Sequence, residues 1–453
     1  MGGDDMALSR GQKAGWGLAD MGIVVFVVVK QLLVLAFLTS VLGVPVGIAG
    51  MITTGILAFD IITDPLVGYL SDNTQTRWGR RAPWMIIGAV VMTAGTVAMF
   101  MSPSVGTSGA LWVAAFFVVA TIGFTMVVIP YGATAGEMTQ DPRERSAMTG
   151  WRMAFASIGI LIGGALIPGL AQGNGYDGAM MIAAPLMVLP IWASVWFTRK
   201  APRITHRSEV GLLASLRLVL SNPAFATLVV LYGVMTLAVA TITAGLPFAA
   251  LYLVQDTGDT MLSAAAQALS MLSLLFAAFV VGAILSQAIW VLVSGRLGKL
   301  FALVLGLALY IALLTTLYTF LPSTSATVMA GMFVLAGMTN GAYQQIPWAM
   351  FPDLMDVTRR ETGAAIEGAF SAIWIFGQKV ANAIAPLFLG LVLSAYGWQE
   401  TTEGVTDQTD AAVGALRVSI TLLPALIMAL SIFGLLLIYR PRARALLGAD
   451  HAL

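Results

Sequence analysis

Apolar residues in this chain come in long blocks separated by short polar turns, with no period-two alternation to suggest strands. An α-helix rises 1.5 Å per residue, so about 20 apolar residues cross a hydrocarbon core of ~30 Å. Within lipid the backbone can satisfy its own hydrogen bonds only as a helix or a closed barrel. Blocks of sufficient length fall near residues 14–40, 46–70, 82–102, 109–136, 146–169, 178–198, 223–253, 262–292, 300–320, 327–351, 364–396 and 413–439. The pattern predicts an all-α membrane protein of twelve transmembrane helices. The first block, about 27 residues, exceeds the roughly 7–15 of a signal-peptide core, so it is expected to stay as the first span.

Basic residues then assign the sides of the membrane, because cytoplasmic loops accumulate Lys and Arg. Alternate loops hold Arg77, Arg80 and Arg81; Arg143 and Arg145; Arg199, Lys200, Arg203, Arg207 and Arg217; Arg296 and Lys299; Arg359 and Arg360. The termini match them, through Arg10 and Lys13 and through Arg440, Arg442 and Arg444. The opposite loops (41–45, 103–108, 170–177, 254–261, 321–326 and 397–412) contain neither Lys nor Arg. Both termini are therefore expected in the cytoplasm of a bacterial-type inner membrane.

The longest polar stretch, 199–222, reads as a cytoplasmic linker between a six-helix half at 1–198 and a second at 223–453. The halves echo each other. IPYGATAGEMTQDPRERSAMTGWRMAF from Ile129 parallels IPWAMFPDLMDVTRRETGAAIEGAF from Ile346, and GYLSDNTQTRWGRR after the second block has a degenerate partner in VSGRLGK after the eighth. Parallel halves of this kind are the signature of the major facilitator fold.

Composition narrows the function. Hydrophobic residues make up 58% of the chain and charged ones 10%, against about 25% charged in soluble domains. A net charge of +1 gives no reason to invoke nucleic acid. There is no Cys, and the two His, His206 and His451, fall in the linker and the tail. Thiolate, metal-centre and triad catalysis lose their usual residues, so no catalytic group, enzyme activity or cofactor is expected.

What remains is a set of charges inside apolar blocks, each costing roughly 2.5–3.5 kcal/mol at mid-bilayer unless it faces water, a partner or a ligand. Asp60 and Asp64 sit at i and i+4, sharing a helix face. Pro65 cannot donate to the carbonyl of Ile61, which frees another oxygen beside them. Oxygen ligands of this kind suit a small hard cation, in a coupling or substrate role; an ion pair with a basic residue on a neighbouring helix is the alternative. Asp20 shares a face of the first span with Trp16 and Gln31, and Arg152 lies just inside the fifth; both are candidates for a ligand cavity. Lys379 and Glu367 lie in the eleventh span, and Lys30, deep in the first, has no role assigned by the sequence. Gly159 and Gly163 form a GxxxG that suggests close helix packing.

A further group clusters at the cytoplasmic ends: Asp72, Arg77, Arg80, Arg81, Glu137, Asp141, Glu144, Arg145, Asp353, Asp356, Arg359 and Glu361. These are expected either to anchor the topology or to act as gating ion pairs that form in one state and break in another.

D-x-x-x-D-P-x-x-G-x-x-x-D ending in RWGRR-x-P-W, the P-Y…E-x-T-x-D-x-x-E-R…R run from Pro130 to Arg152, and P-D-x-x-D…TG…E-G…K from Pro352 to Lys379 together resemble the glycoside–pentoside–hexuronide cation symporters, the melibiose permease-like transporters. The resemblance covers essentially every helix. It implies that Asp60 and Asp64 bind the coupling Na⁺ or H⁺ near Thr125 and Lys379. It also implies that Asp20 and Arg152 bind sugar, and that Gln344, Trp374 and Gln378 line the sugar pocket. Two positions depart from the melibiose carriers, which have a carboxylate two residues before the fourth-helix proline and a tryptophan two after it. Here these are Val128 and Gly132, so melibiose itself is not expected, and Tyr131 or Trp348 is the candidate stacking surface. The expected function is secondary active, cation-coupled symport of a sugar, glycoside or related small polar solute by a monomer in membrane lipid. The alternatives are a carrier of lysolipid or another amphiphile, and a non-transporting delivery or assembly factor.

Overall fold

The computed structural model describes residues 8–139, 141–202, 217, 219–323, 325–362 and 367–447. The chain divides into two compact units. One comprises Met1–His206 with Gln267–Ser273 and Gln399–Thr406; the other comprises Arg207–Ala266, Leu274–Trp398 and Asp407–Leu453.

In the first unit the helices are α1 (Arg10–Leu32), α2 (Val34–Ser40), α3 (Val46–Asn73), α4 (Ala82–Phe100), α5 (Gly106–Met138), α6 (Pro142–Leu161) and α7 (Ile167–Thr198), with a π-helical turn over Ile162–Leu166 joining the last two. Ser9 starts α1 with a capping box: its hydroxyl accepts from Gln12 N while the Gln12 side chain accepts from Ser9 N. The first predicted span is thus α1 plus α2, interrupted at Leu33. Residues 147–198 form a 52-residue apolar helical run, about 78 Å long if straight, too long for one crossing. Gly175 breaks it with a left-handed backbone (φ 71°), separating the predicted blocks 146–169 and 178–198. The segment Gln399–Thr406 belongs to this unit through Thr401 N to Thr39 O and Gly404 N to Ser40 O.

The second unit holds α8 (Pro223–Tyr252), α10 (Met271–Leu297) from Leu274 onward, α11 (Lys299–Phe320), α12 (Ala326–Thr362), α13 (Glu367–Ala395), α14 (Asp410–Ile420), α15 (Leu422–Gly434) and α16 (Arg440–Leu447). A short α9 (Ser263–Leu269) precedes α10. Asn222 caps α8, accepting from Ala224 N and Phe225 N, with Pro223 in the first turn where its missing N–H costs nothing. The predicted 327–351 block lies within the 37-residue α12.

Among the described residues every predicted apolar block is mostly helix, with a break at Ser270 inside the 262–292 block. Among the described residues, ten helical runs are long and apolar enough to cross a membrane, the 147–198 run counting once. The fold is an all-α membrane protein.

The packing that positions the candidate site in the first unit depends on small residues. A Cβ on Gly159 would lie 2.5 Å from Met21 O, and one on Gly163 2.8 Å from Val28 Cβ. On the opposite helix, a Cβ on Gly17 would lie 2.7 Å from Arg152 N. Gly17 on α1, Gly159 on α6 and Gly163 in the π-helical turn that follows therefore allow the backbones to approach closely, which is how helices gain packing energy in lipid. That approach sets Asp20 on α1 against Arg152 on α6.

Candidate functional site

Within the first unit, three helices bring together four of the expected substrate residues. Asp20 is 3% exposed, too costly for an isolated carboxylate. It faces Arg152, whose Nε lies 3.1 Å from Asp20 Oδ2. The Arg152 side chain remains 42% exposed, so the pair has one buried and one open end. Trp16 on α1 stacks on Tyr131 of α5, ring centroids 4.8 Å apart and planes at 18°, and its indole N–H donates to Tyr131 O at 3.3 Å. Arg152 also sits over the Tyr131 ring, 6.0 Å from its centroid. The Tyr131 hydroxyl is buried with no protein partner. The groups gathered here, an aromatic pair, a carboxylate, a guanidinium and a hydroxyl, are of the kinds that contact polyols, with Trp16 4% and Tyr131 2% exposed and only Arg152 open.

A second constellation joins α1, α3 and α5 of the same unit. Asp60, 2% exposed, accepts at Oδ1 from the Thr125 hydroxyl at 2.8 Å, and Thr125 itself is fully buried. The expected association of Asp60 with Thr125 is thus present in the geometry. At its other oxygen, Oδ2, stands Lys30 Nζ at 3.8 Å. Lys30 is 7% exposed, and its ammonium lies over the rings of Phe124 (4.3 Å to the centroid) and Phe26 (5.2 Å). Asp64 is half-buried, one turn along α3. Lys379 is half-buried on α13 of the other unit.

The expected substrate residues of the second unit gather around a tyrosine the sequence reading did not single out. Tyr232, on α8 and 1% exposed, stacks on Trp374 (4.3 Å, 14°) and on Tyr343 (5.4 Å, 30°). Its hydroxyl oxygen accepts from Trp348 Nε1 at 3.0 Å and from Gln378 Nε2 at 2.8 Å. Tyr343 in turn donates to Thr236 Oγ1 at 2.8 Å. Trp374 is fully buried, and its indole N–H has no protein partner. One turn before Tyr343 on α12, Asn340 is 1% exposed with neither amide atom hydrogen-bonded. Gln344 is exposed on the same helix. Aromatic residues at helical spacing read as plain core in a sequence, and this is why Tyr232 was missed; the Trp348 indole and the Gln378 amide, donors on apolar helices that need an acceptor, were the available signal.

At the helix ends, Glu137 Oε1 takes Arg80 Nη2 at 2.6 Å and Arg81 Nε at 2.9 Å, and Arg81 also donates to Ser71 Oγ at 3.3 Å. These contacts tie the turn after α3 to the end of α5. Glu144 accepts from Leu8 N (2.9 Å) and Thr139 Oγ1 (2.7 Å) and pairs with Lys13 (3.0 Å). Those hydrogen bonds outweigh the partial desolvation that would raise its carboxyl, and hold it below the ordinary 4.5. In the second unit, Lys299 pairs with Asp353 at 2.6 Å and caps Ala349 O at 2.8 Å. Each of these pairs joins elements of one unit. Arg77 stacks over Trp78, and Asp141 and Arg145 are exposed. The side chains of Asp72, Asp356, Arg359 and Glu361 lie outside the described residues.

Comparison with known proteins agrees with this architecture. The inner membrane symporter YicJ of Escherichia coli is 24% identical over 94% of this chain and 90% of its own length. The glucuronide carrier protein homolog of the same organism is 24% identical over 92% and 90%. The inward-facing structure of a bacterial homolog of the human lysosomal transporter Spinster superposes with a TM-score of 0.62, covering 96% of each chain at 16% identity, a likeness of fold. The family model of MFS/sugar transport proteins matches residues 15–440. The chain is therefore a secondary transporter and not an enzyme, and it belongs to the MFS/sugar transport protein family, among the glycoside–pentoside–hexuronide symporters.

Proposed function

We propose that the protein couples the movement of a cation, Na⁺ or H⁺, to symport of a sugar, glycoside or related small polar solute by alternating access of two six-helix halves, 1–198 and 223–453, joined by the 199–222 linker. The observation that carries this reading is the buried Asp20 held against Arg152 beside the stacked Trp16–Tyr131 platform, a set of groups matched to hydroxyls and an apolar sugar face. Trp348, Trp374, Gln344 and Gln378 also contact the substrate. Asp60, Asp64 and Thr125 take the coupling cation, with Lys379 as balancing charge. The carrier works as a monomer in a bacterial-type inner membrane, both termini in the cytoplasm. The cytoplasmic ion pairs, Glu137 with Arg80 and Arg81 and Asp353 with Lys299, form and break with the transport state, together with Asp72, Arg77, Asp141, Arg145, Asp356, Arg359 and Glu361. The relationship to a glucuronide carrier homolog supports the sugar class.

The test has two stages. Purified protein is screened for thermal stabilisation by glycosides, uronides and lysolipids, since a ligand stabilises the state it binds. The best ligand is then followed into vesicles under an imposed Na⁺ or H⁺ gradient, comparing the parent with Asp64→Asn. A sugar-class solute should accumulate uphill in the parent, and Asp64→Asn should retain only exchange down the solute gradient. Stabilisation by lysolipids alone overturns the sugar assignment, and undiminished accumulation by Asp64→Asn overturns the coupling assignment.

A further inference from the structure

We infer that Lys30 is a resident cation of the Asp60 site, and that its tethered ammonium competes with free sodium for that carboxylate. The inference rests on the proposed cation role of Asp60 and deepens it. Three observations carry it. Lys30 is buried and its Nζ lies 3.8 Å from Asp60 Oδ2, while Oδ1 is already engaged by the Thr125 hydroxyl. The ammonium is enclosed by aromatic faces, Phe124 at 4.3 Å and Phe26 at 5.2 Å, which attract a cation without consuming the carboxylate. The charge arrives from α1, whereas Asp60 and Thr125 sit on α3 and α5, so three helices of one unit meet at this point.

A buried carboxylate needs one compensating positive charge, and a second cation at the same oxygen is opposed by the first across a few ångströms of low-dielectric surroundings. As long as Lys30 stays, Asp60 is neutralised and sodium gains little by entering. A site built only from carboxylates and hydroxyls would instead depend on the free ion for its stability. Sodium dependence is thus set by the side chain at position 30 as well as by the oxygens.

The test is a sodium titration of thermal stability, with choline chloride at equal ionic strength as the control, on the parent and on Lys30→Met, which keeps length and apolar bulk but removes the charge. The parent should show little sodium-specific stabilisation. Lys30→Met should be less stable in choline and recover with sodium, its half-maximal sodium concentration at least about tenfold below any seen in the parent. A second variant, Lys30→Met with Asp60→Asn, removes both charges and should be stable and indifferent to sodium. Sodium stabilisation of equal size in parent and Lys30→Met overturns the inference, as does a Lys30→Met protein indifferent to sodium. If Lys30→Met yields no folded protein in either salt, the double variant decides. Recovery of folded protein on adding Asp60→Asn supports the pair, and equal failure overturns it. None of these readouts uses transport, so failure to find a sugar substrate leaves the result intact.

Discussion

Gln378 donates its side-chain N–H to the phenol oxygen of Tyr232 at 2.8 Å, linking α13 to α8. Because the same oxygen accepts from Trp348 on α12, one tyrosine fixes two side chains expected to contact substrate, from two different helices. Tyr232 is in turn immobilised by its stacking between Trp374 and Tyr343. A hub of this kind converts core packing into the placement of polar groups.

Tyr232→Phe keeps the rings stacked and leaves both donors without their acceptor. Orphaning buried donors costs about 1–3 kcal/mol, and the lower end applies because Trp348 is 40% exposed and can reach another partner. The melting temperature should fall modestly. If the hub positions substrate contacts, KM for the transported solute rises several-fold while the maximal rate changes less, as expected when positioning for binding is lost. A lower melting temperature with unchanged KM would reduce Tyr232 to a structural residue.

The apolar blocks made the helical architecture legible, because their length follows from the solvent rather than from tertiary detail. Asp20 and Arg152 were also legible, because charges inside apolar helices are costly enough to announce themselves; the structure sets them beside Trp16 and Tyr131. Their alignment depends on the Gly17 and Gly159/Gly163 crossing of α1 and α6, and of this only the GxxxG was visible beforehand. Lys30 was visible as an expense without an explanation. A helix-one residue meets α3 and α5 only through the three-dimensional packing, and no spacing rule connects position 30 with position 60. Gly175 was hidden differently, as one glycine among 47 whose left-handed backbone splits a continuous apolar run.

Acid should release the N-terminal segment. Glu144 has its carboxyl held below 4.5 by hydrogen bonds from Thr139, Lys13 and Leu8 N, against the desolvation that opposes them. A lowered carboxyl value means that the stabilisation is fully present above the unfolded value and is lost as pH falls through the folded one. No change is therefore expected between pH 7 and 5, with loss setting in beneath 4.5. Amide exchange at Leu8, corrected for the intrinsic pH effect, reports the release. Glu144→Gln should expose Leu8 already at neutral pH and remove the acid step; a Leu8 amide protected equally in both proteins would assign its protection elsewhere.

The Asp20–Arg152 pair is the sharpest test of the substrate site, because its two ends differ in exposure. Asp20→Asn preserves size and leaves a hydrogen-bonding side chain, but removes the charge that orients the guanidinium. Breaking a fully buried ion pair costs about 3–5 kcal/mol, and the penalty here should be well below that, since the Arg152 side chain is 42% exposed. The fold should therefore survive with a modest loss of melting temperature. Substrate affinity should fall much further. A hydrogen bond to a charged group contributes about 1.5–3 kcal/mol, which corresponds to roughly 10- to 150-fold in affinity. Arg152→Lys should weaken binding as well, because an ammonium cannot reproduce the planar fork of a guanidinium beside an aromatic ring. Calorimetric titration of the best ligand from the stability screen, run on the parent and both variants, measures the affinity loss directly. Parental affinity in Asp20→Asn together with a lowered melting temperature would mean that the pair serves to lock α1 to α6, and the solute would then have to be sought on the Trp16–Tyr131 platform alone.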